Sequence, residues 1–168
     1  QVAKCLTANT AKFGIVLCGG CGNGKTTMLK ALQNIVRRLD ILKPNLSPNA
    51  GHSSDNYYDF TIANAMQIAQ LRRTDYTKFC KLAQTDMLGI DDVGTEPAEV
   101  QDYGNIMCPI KELLTIRYDA QQFTAFTTNL EPKDIRQRYG DRIADRLNEM
   151  MTKIVYRNPT YRADSNGG

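Results

Sequence analysis

The run Gly19-Gly20-Cys21-Gly22-Asn23-Gly24-Lys25-Thr26 matches the pattern G-x-x-x-x-G-K-[ST], the spacing at which a loop can cradle a chain of phosphates. Glycines let the backbone curl until several amide N–H groups converge on phosphate oxygens. A helix starting there adds the positive end of its dipole, and Lys25 can reach the outer phosphates. Thr26 offers a hydroxyl to Mg2+, and Thr27 continues the same nucleotide-binding turn. Such a loop implies binding of ATP with Mg2+.

A second set of chemical groups comes later. The apolar run Met87 to Ile90 ends in Asp91 and Asp92, and a carboxylate at a strand tip can hold Mg2+ through its water shell. Asp91 is the expected magnesium residue and Asp92 the expected group for polarising the attacking water. Glu96 is a weaker candidate for the same neighbourhood. Asn129, at the end of Gln122 to Thr128, which reads as a fourth strand, could orient water beside the γ-phosphate without adding charge. Cys18 and Cys21 also spell C-x-x-C, but they flank the phosphate loop. The one histidine, His52, lies in a Ser/Asn-rich stretch, and no second close cysteine pair completes a zinc site. Packed thiols are the better reading.

These groups need elements to position them. Phe13 to Leu17 reads as a buried strand that stops at glycines. From Thr26, Met28, Leu29, Leu32, Ile35, Val36 and Leu39 recur at helical spacing on one apolar stripe. Asn45 to Asp55 reads as a surface loop and Tyr57 to Ile62 as a strand. Helices are expected over Ala63 to Arg72 and Asp75 to Gln84, and again over Ile106 to Tyr118, where Pro109 limits or kinks the helix. Alternating strands and helices imply an α/β fold, a central parallel sheet covered on both faces with its ligand site at the carboxyl ends of the strands. Lys25, Asp91 and Asn129 would then meet on one edge of the sheet.

Composition sets outer bounds. A chain of 168 residues, 42% hydrophobic, suits one domain. No apolar stretch is long enough to span a bilayer, so a soluble, cytoplasmic protein without a membrane partner is expected. Five scattered cysteines argue for reduced thiols. The net charge of +3 is small, but eight basic and five acidic residues fall between Glu131 and Arg162, so the excess is concentrated there. Arg72, Arg73, Lys78 and Lys81, interleaved with Tyr76 and Phe79, form a possible single-stranded DNA contact, set against the plainer reading of a solvated helix face with its aromatics in the core.

Three stretches together, Ile90-Asp91-Asp92-Val93-Gly94-Thr95-Glu96, Phe126-Thr127-Thr128-Asn129-Leu130 and Tyr139-Gly140-Asp141-Arg142-Ile143-Ala144-Asp145-Arg146-Leu147, resemble the AAA+ ATPases of the DnaC/IstB type. The segment Ile116-Arg117-Tyr118 adds to the likeness, which runs from about Phe13 to Arg162. It implies a P-loop NTPase of AAA+ type, a three-layer sandwich, over residues 12–162, with 1–11 as an N-terminal extension and 163–168 as a disordered tail. Asp91 and Asp92 would be Walker B, Asn129 sensor 1, Arg146 the arginine finger and Arg162 sensor 2. Arg142 and Arg146 lie on one helix face while Ile143 and Leu147 anchor it, which would present Arg146 outward to a neighbouring subunit. The likeness also implies a helicase loader in DNA replication, or an IstB-type transposition helper. Its partners would be a replicative helicase or a transposase together with single-stranded DNA, and it would form a nucleotide-dependent homo-oligomer. Because Gln1 is not methionine, a processed or truncated chain is expected, and the segment that grips the partner would lie upstream. A small-molecule kinase and a module that holds ATP without hydrolysing it are the competing readings.

Overall fold

The computed structural model describes residues 11–43, 56–102 and 104–157. Strand β1 (Gly14–Gly19) runs into helix α1 (Lys25–Leu39), followed by β2 (Phe60–Asn64), α2 (Ala65–Thr74), α3 (Tyr76–Ala83) and β3 (Met87–Val93). A short antiparallel hairpin, β4 (Val100–Asp102) and β5 (Asn105–Met107), precedes α4 (Pro109–Asp119), β6 (Phe123–Thr128), α5 (Pro132–Tyr139), α6 (Asp141–Met150) and β7 (Met151–Tyr156). Strands β2, β3, β6, β1 and β7 form, in that order, one five-stranded sheet whose pairs are all parallel.

Alternation along the strands assigns the layers. Ile15, Leu17 and Ala125 face one side, where Leu29, Leu32 and Val36 of α1 cover them. Leu88, Ile90 and Phe126 face the other side and pack with Ile68, Phe79, Leu113, Ile143 and Leu147 from α2, α3, α4 and α6. The result is the expected three-layer α/β sandwich with a parallel central sheet. Because β1 lies between β6 and β7, the loop after β1 opens at the carboxyl edge with a strand end on either side.

Several sequence expectations change. The apolar stripe of α1 is narrower than its spacing suggests, because Ile35 and Leu39 are exposed. Ile106 is not helical but an exposed residue of β5, and the helix begins at Pro109, where a missing N–H costs nothing because first-turn amides lack intrahelical partners. Helices α5 and α6 and strand β7 give weak sequence signals. Helix α5 is Pro-Lys-Asp-Ile-Arg-Gln-Arg-Tyr, with an apolar face of only Ile135 and Tyr139, and β7 follows α6 with no glycine or proline between them. The expected loop Asn45 to Asp55, with His52, lies outside the described residues.

Buried Arg117 holds the opposite edge of the sheet together. It is fully buried at the end of α4 and donates to the carbonyls of Ala83, Thr85 and Phe123 and to the Thr124 hydroxyl. Burial pushes its guanidinium down to about 10, so it remains charged at neutral pH among neutral acceptors.

Candidate nucleotide site

The loop after β1 is shaped by two close approaches. Gly19 has φ +143°, and a Cβ there would collide with the Tyr156 carbonyl on β7, so a side chain is excluded. Gly24 caps α1 in the left-handed region at φ 89°, a conformation glycine adopts without steric cost. The Asn23 amide donates to the same Tyr156 carbonyl at 3.4 Å, which ties the loop to β7.

Lys25 is only 6% exposed, and its ammonium donates to the carbonyls of Gly19 and Gly20 at 2.9 and 2.6 Å. It also donates to the side-chain oxygens of Asn23 at 3.1 Å and Asn129 at 2.8 Å. All four partners are neutral acceptors, and burial holds the ammonium below its ordinary pKa, so an anion brought to this cation would meet a charge with no counter-ion bonded to it. The Asn129 contact joins the end of β6 to the loop after β1 across a separation of 104 residues.

The acids converge on the same edge. Asp91 Oδ1 accepts from the Thr26 hydroxyl at 3.0 Å and from the Thr127 hydroxyl at 2.6 Å. Asp92 sits at φ 58°, within a register shift that gives β3 one extra residue between Ile90 and Val93 relative to β6. A bulge of this kind re-aims side chains. It allows Asp91 to engage Thr26 while Asp92, the next residue, lines the adjoining cavity. The kink is held from both sides, since the Asp92 N–H donates to Thr127 Oγ1 and the Asp92 carbonyl accepts from the Thr95 hydroxyl, each at 2.8 Å. Thr127 therefore serves both acids, and Thr128 Oγ1 links β6 to β3 by donating to the Val93 carbonyl. Neither threonine is singled out by its sequence spacing. Their signal is that both are buried hydroxyls in an apolar strand.

A cavity of about 630 Å³ opens over this arrangement. Its lining includes Cys21, Gly22, Asn23, Gly24, Lys25, Thr26 and Thr27, together with Met28, Ala31, Asp92, Asn129 and Tyr156. Gly19 and Gly20 contribute through their carbonyls to Lys25. Among the described residues no group of three or more His, Cys, Asp or Glu could hold a metal. The paired oxygens of Thr26 and Asp91 suit Mg2+, which binds through one or two protein oxygens and takes the rest from water and phosphate. Cys18 is buried in β1 and donates weakly to the Ile154 carbonyl, and burial pushes its thiol up, whereas Cys21 is exposed at the cavity. The two cysteines thus occupy different environments.

Other expectations are corrected. Glu96 is not a catalytic acid at the mouth of the site. It is 2% exposed and accepts from the Gly94 N–H and the Tyr139 hydroxyl, bracing the loop after β3 against α5. Arg138 pairs with it and also donates to its carbonyl. Arg146 does not present its guanidinium outward. The group packs against α4, 4.5 Å from the Tyr118 ring centroid and 3.0 Å from Asp119, so it bonds neither Asp145 nor Glu149. Its Nη1 is buried without a hydrogen-bond partner. Arg72 and Phe79 are likewise structural. Arg72 is buried, bonds Glu112 at 2.7 Å and lies over Tyr76, while Phe79 is in the core, leaving Arg73, Lys78 and Lys81 exposed. Arg162 lies outside the described residues.

No family model and no curated protein matches the chain in sequence. Its fold, a five-stranded parallel sheet covered by helices on both faces, is nevertheless shared with solved structures of low sequence identity. The crystal structure of DnaI superposes with a TM-score of 0.65 at 19% identity, covering 96% of this chain and 80% of that one. The crystal structure of the DnaC helicase loader gives 0.62 at 18%, covering 93% and 85%. The replication initiator DnaA bound to AMPPCP and single-stranded DNA gives 0.57 at 15%, covering 86% of this chain but only 41% of that chain. At such identities the likeness is one of fold. No helix of the described residues is long and apolar enough to cross a membrane.

Proposed function

We propose that this chain binds and hydrolyses ATP with Mg2+ and acts in DNA replication as a helicase loader that engages single-stranded DNA. The observation that carries the reading is the meeting of three strand ends at one cation: Lys25 bonded to Asn129, next to the Thr26–Asp91–Thr127 hydroxyl and carboxylate set. Lys25 would exchange its loop carbonyls for phosphate oxygens, releasing Asn129 to orient a water molecule. Asp92, lining the same cavity, would take up that water's proton as it attacks the γ-phosphorus. Bound Mg2+ would neutralise developing phosphate charge, with Thr26 and Asp91 as its protein ligands. Arg146 is proposed to act on a neighbouring subunit's nucleotide after leaving Tyr118 and Asp119. The fold shared with a DnaA bound to AMPPCP and single-stranded DNA, and with a DnaC helicase loader, supports the replication role.

The test is turnover with Mg-ATP, with and without single-stranded DNA. Release of free phosphate, abolished by Lys25→Ala and sharply reduced by Asp91→Asn, supports the reading. Phosphorylation of an added small molecule would instead indicate a kinase. ATP binding with no turnover would indicate a holding module. Capture of a replicative helicase or of a transposase by the chain decides between loading and transposition.

A further inference from the structure

A second cavity, of about 300 Å³, lies on the face of the sheet away from α1 and shares no lining residue with the nucleotide cavity. Alternation along the strands puts it there. Ile15, Leu17 and Ile154 pack toward α1, so Val16 and Cys18 of β1 and Met151 and Lys153 of β7 face the opposite way, beside Phe126 of β6. The helices above leave the space open. The nearly polar α5 brings Ile135 to it, and α6 brings Leu147 beside Ala144, whose side chain is too short to fill the gap. Open apolar walls forfeit packing contacts that a small apolar body could supply, and a cavity of this size falls within the range of small-molecule sites.

The charge of this cavity is one-sided. Lys133, Arg136 and Lys153 line it, and no acid does. Lys133 is paired with Glu131, and Arg136 with Asp141 and Asp145, so both of those charges are already balanced. Lys153, exposed at the opening, bonds no acid among the described residues. Burial pushes the neighbouring Cys18 thiol up, which keeps it neutral and leaves it unable to serve as the counter-ion. We propose that this cavity binds a small amphipathic monocarboxylate, its apolar body against Val16, Phe126, Leu130, Ile135, Leu147 and Met151 and its carboxylate paired with Lys153 at the mouth. A phosphate ester fits less well. A dianion calls for a second free cation or a guanidinium fork, and Arg136 is committed to two aspartates.

The experiment follows the side-chain methyl resonances of the full chain during titration with octanoate, octanol and octylammonium, each below its aggregation concentration. Octanoate is expected to shift the methyls of Leu130, Ile135, Ala144 and Met151 saturably, while those of Ile35 and Leu39, exposed on α1, stay unmoved. Octylammonium should bind more weakly than octanoate. Lys153→Met keeps an unbranched apolar stem and should weaken octanoate about fivefold while leaving octanol unchanged. Ala144→Phe, which fills the cavity from α6, should remove binding of both. Shifts confined to Ile35 and Leu39 overturn the proposal. The absence of any saturable shift with octanoate does so too, and leaves the cavity to be covered by a protein segment. Undiminished octanoate affinity in Lys153→Met, an equal loss for octanoate and octanol in that variant, or tighter binding of octylammonium than of octanoate each exclude the carboxylate pairing.

Discussion

At the scale of single residues, Thr127 is the group through which the two acids depend on one another. It donates to Asp91 and accepts from the Asp92 N–H, so its hydroxyl fixes a carboxylate and a left-handed backbone at the same time. Thr127→Val keeps the branched shape that suits a buried strand but removes both bonds. Hydrogen bonds to charged groups are worth about 1.5–3 kcal/mol, so phosphate release with Mg2+ should fall by about tenfold or more while ATP affinity changes far less. Steady-state turnover and equilibrium titration on the same preparation check this. An equal loss in both would mean that Thr127 supports the loop rather than the acids. Lys25→Ala has a different signature, loss of tight nucleotide binding with the fold intact, because it removes the cation at the loop while its bonded partners are all neutral and leave no charge unpaired.

Elements are held in register by two buried polar pins. Arg117 connects the end of α4 to the end of α3, the turn before β3 and the start of β6 through the carbonyls of Ala83, Thr85 and Phe123. Arg117→Met retains most of the apolar volume yet leaves those acceptors unpaired, and a loss of about 3 kcal/mol or more is expected in denaturant unfolding. The second pin joins Glu96 to Tyr139 at 2.5 Å and braces the loop after β3 on α5. Burial and the bond to Glu96 both push the Tyr139 phenol above its ordinary range, so it remains a donor at any working pH. A double-mutant cycle of Glu96→Gln and Tyr139→Phe should show coupling of about 1–3 kcal/mol in stability. Additive effects would show that the two side chains do not act as a unit.

For the whole molecule, the questions are assembly and DNA. Arg146 lies against Tyr118 and Asp119 of its own chain, so any action on a neighbour's nucleotide requires a rotamer change that gives up that ion pair and ring contact. An arginine at the γ-phosphate can be worth about 10³ in rate. Mixing Arg146→Ala with Lys25→Ala under assembly conditions should therefore restore some hydrolysis, since intact pockets can meet intact arginines. Verified mixed assemblies without recovery would exclude action between subunits. Single-stranded DNA affinity should fall steeply with added salt, because lysines and arginines displace condensed counter-ions. Of the basic run on α2 and α3, only Arg73, Lys78 and Lys81 are exposed enough to contribute, and charge reversal there should weaken binding at low salt.

How much of this was legible in the sequence depends on the range of the interaction responsible. The glycine-rich turn between β1 and α1, Asp91 and Asp92 near the end of β3, the α1 helix and the parallel α/β architecture could be read from residue types and short spacing, because turns, helical periodicity and apolar runs are local properties of the chain. Helix α5 and strand β7 could not, since a nearly polar helix and a strand without turn signals take their conformation from packing against distant elements. The same holds for side-chain fate. Spacing placed Arg146 on a helix face, but Tyr118 and Asp119, on another helix, decided that it turns inward. Glu96, Arg72 and Arg117 are charged residues that a sequence assigns to solvent or to chemistry. Tertiary contacts buried them, because each found enough fixed partners to offset the loss of water.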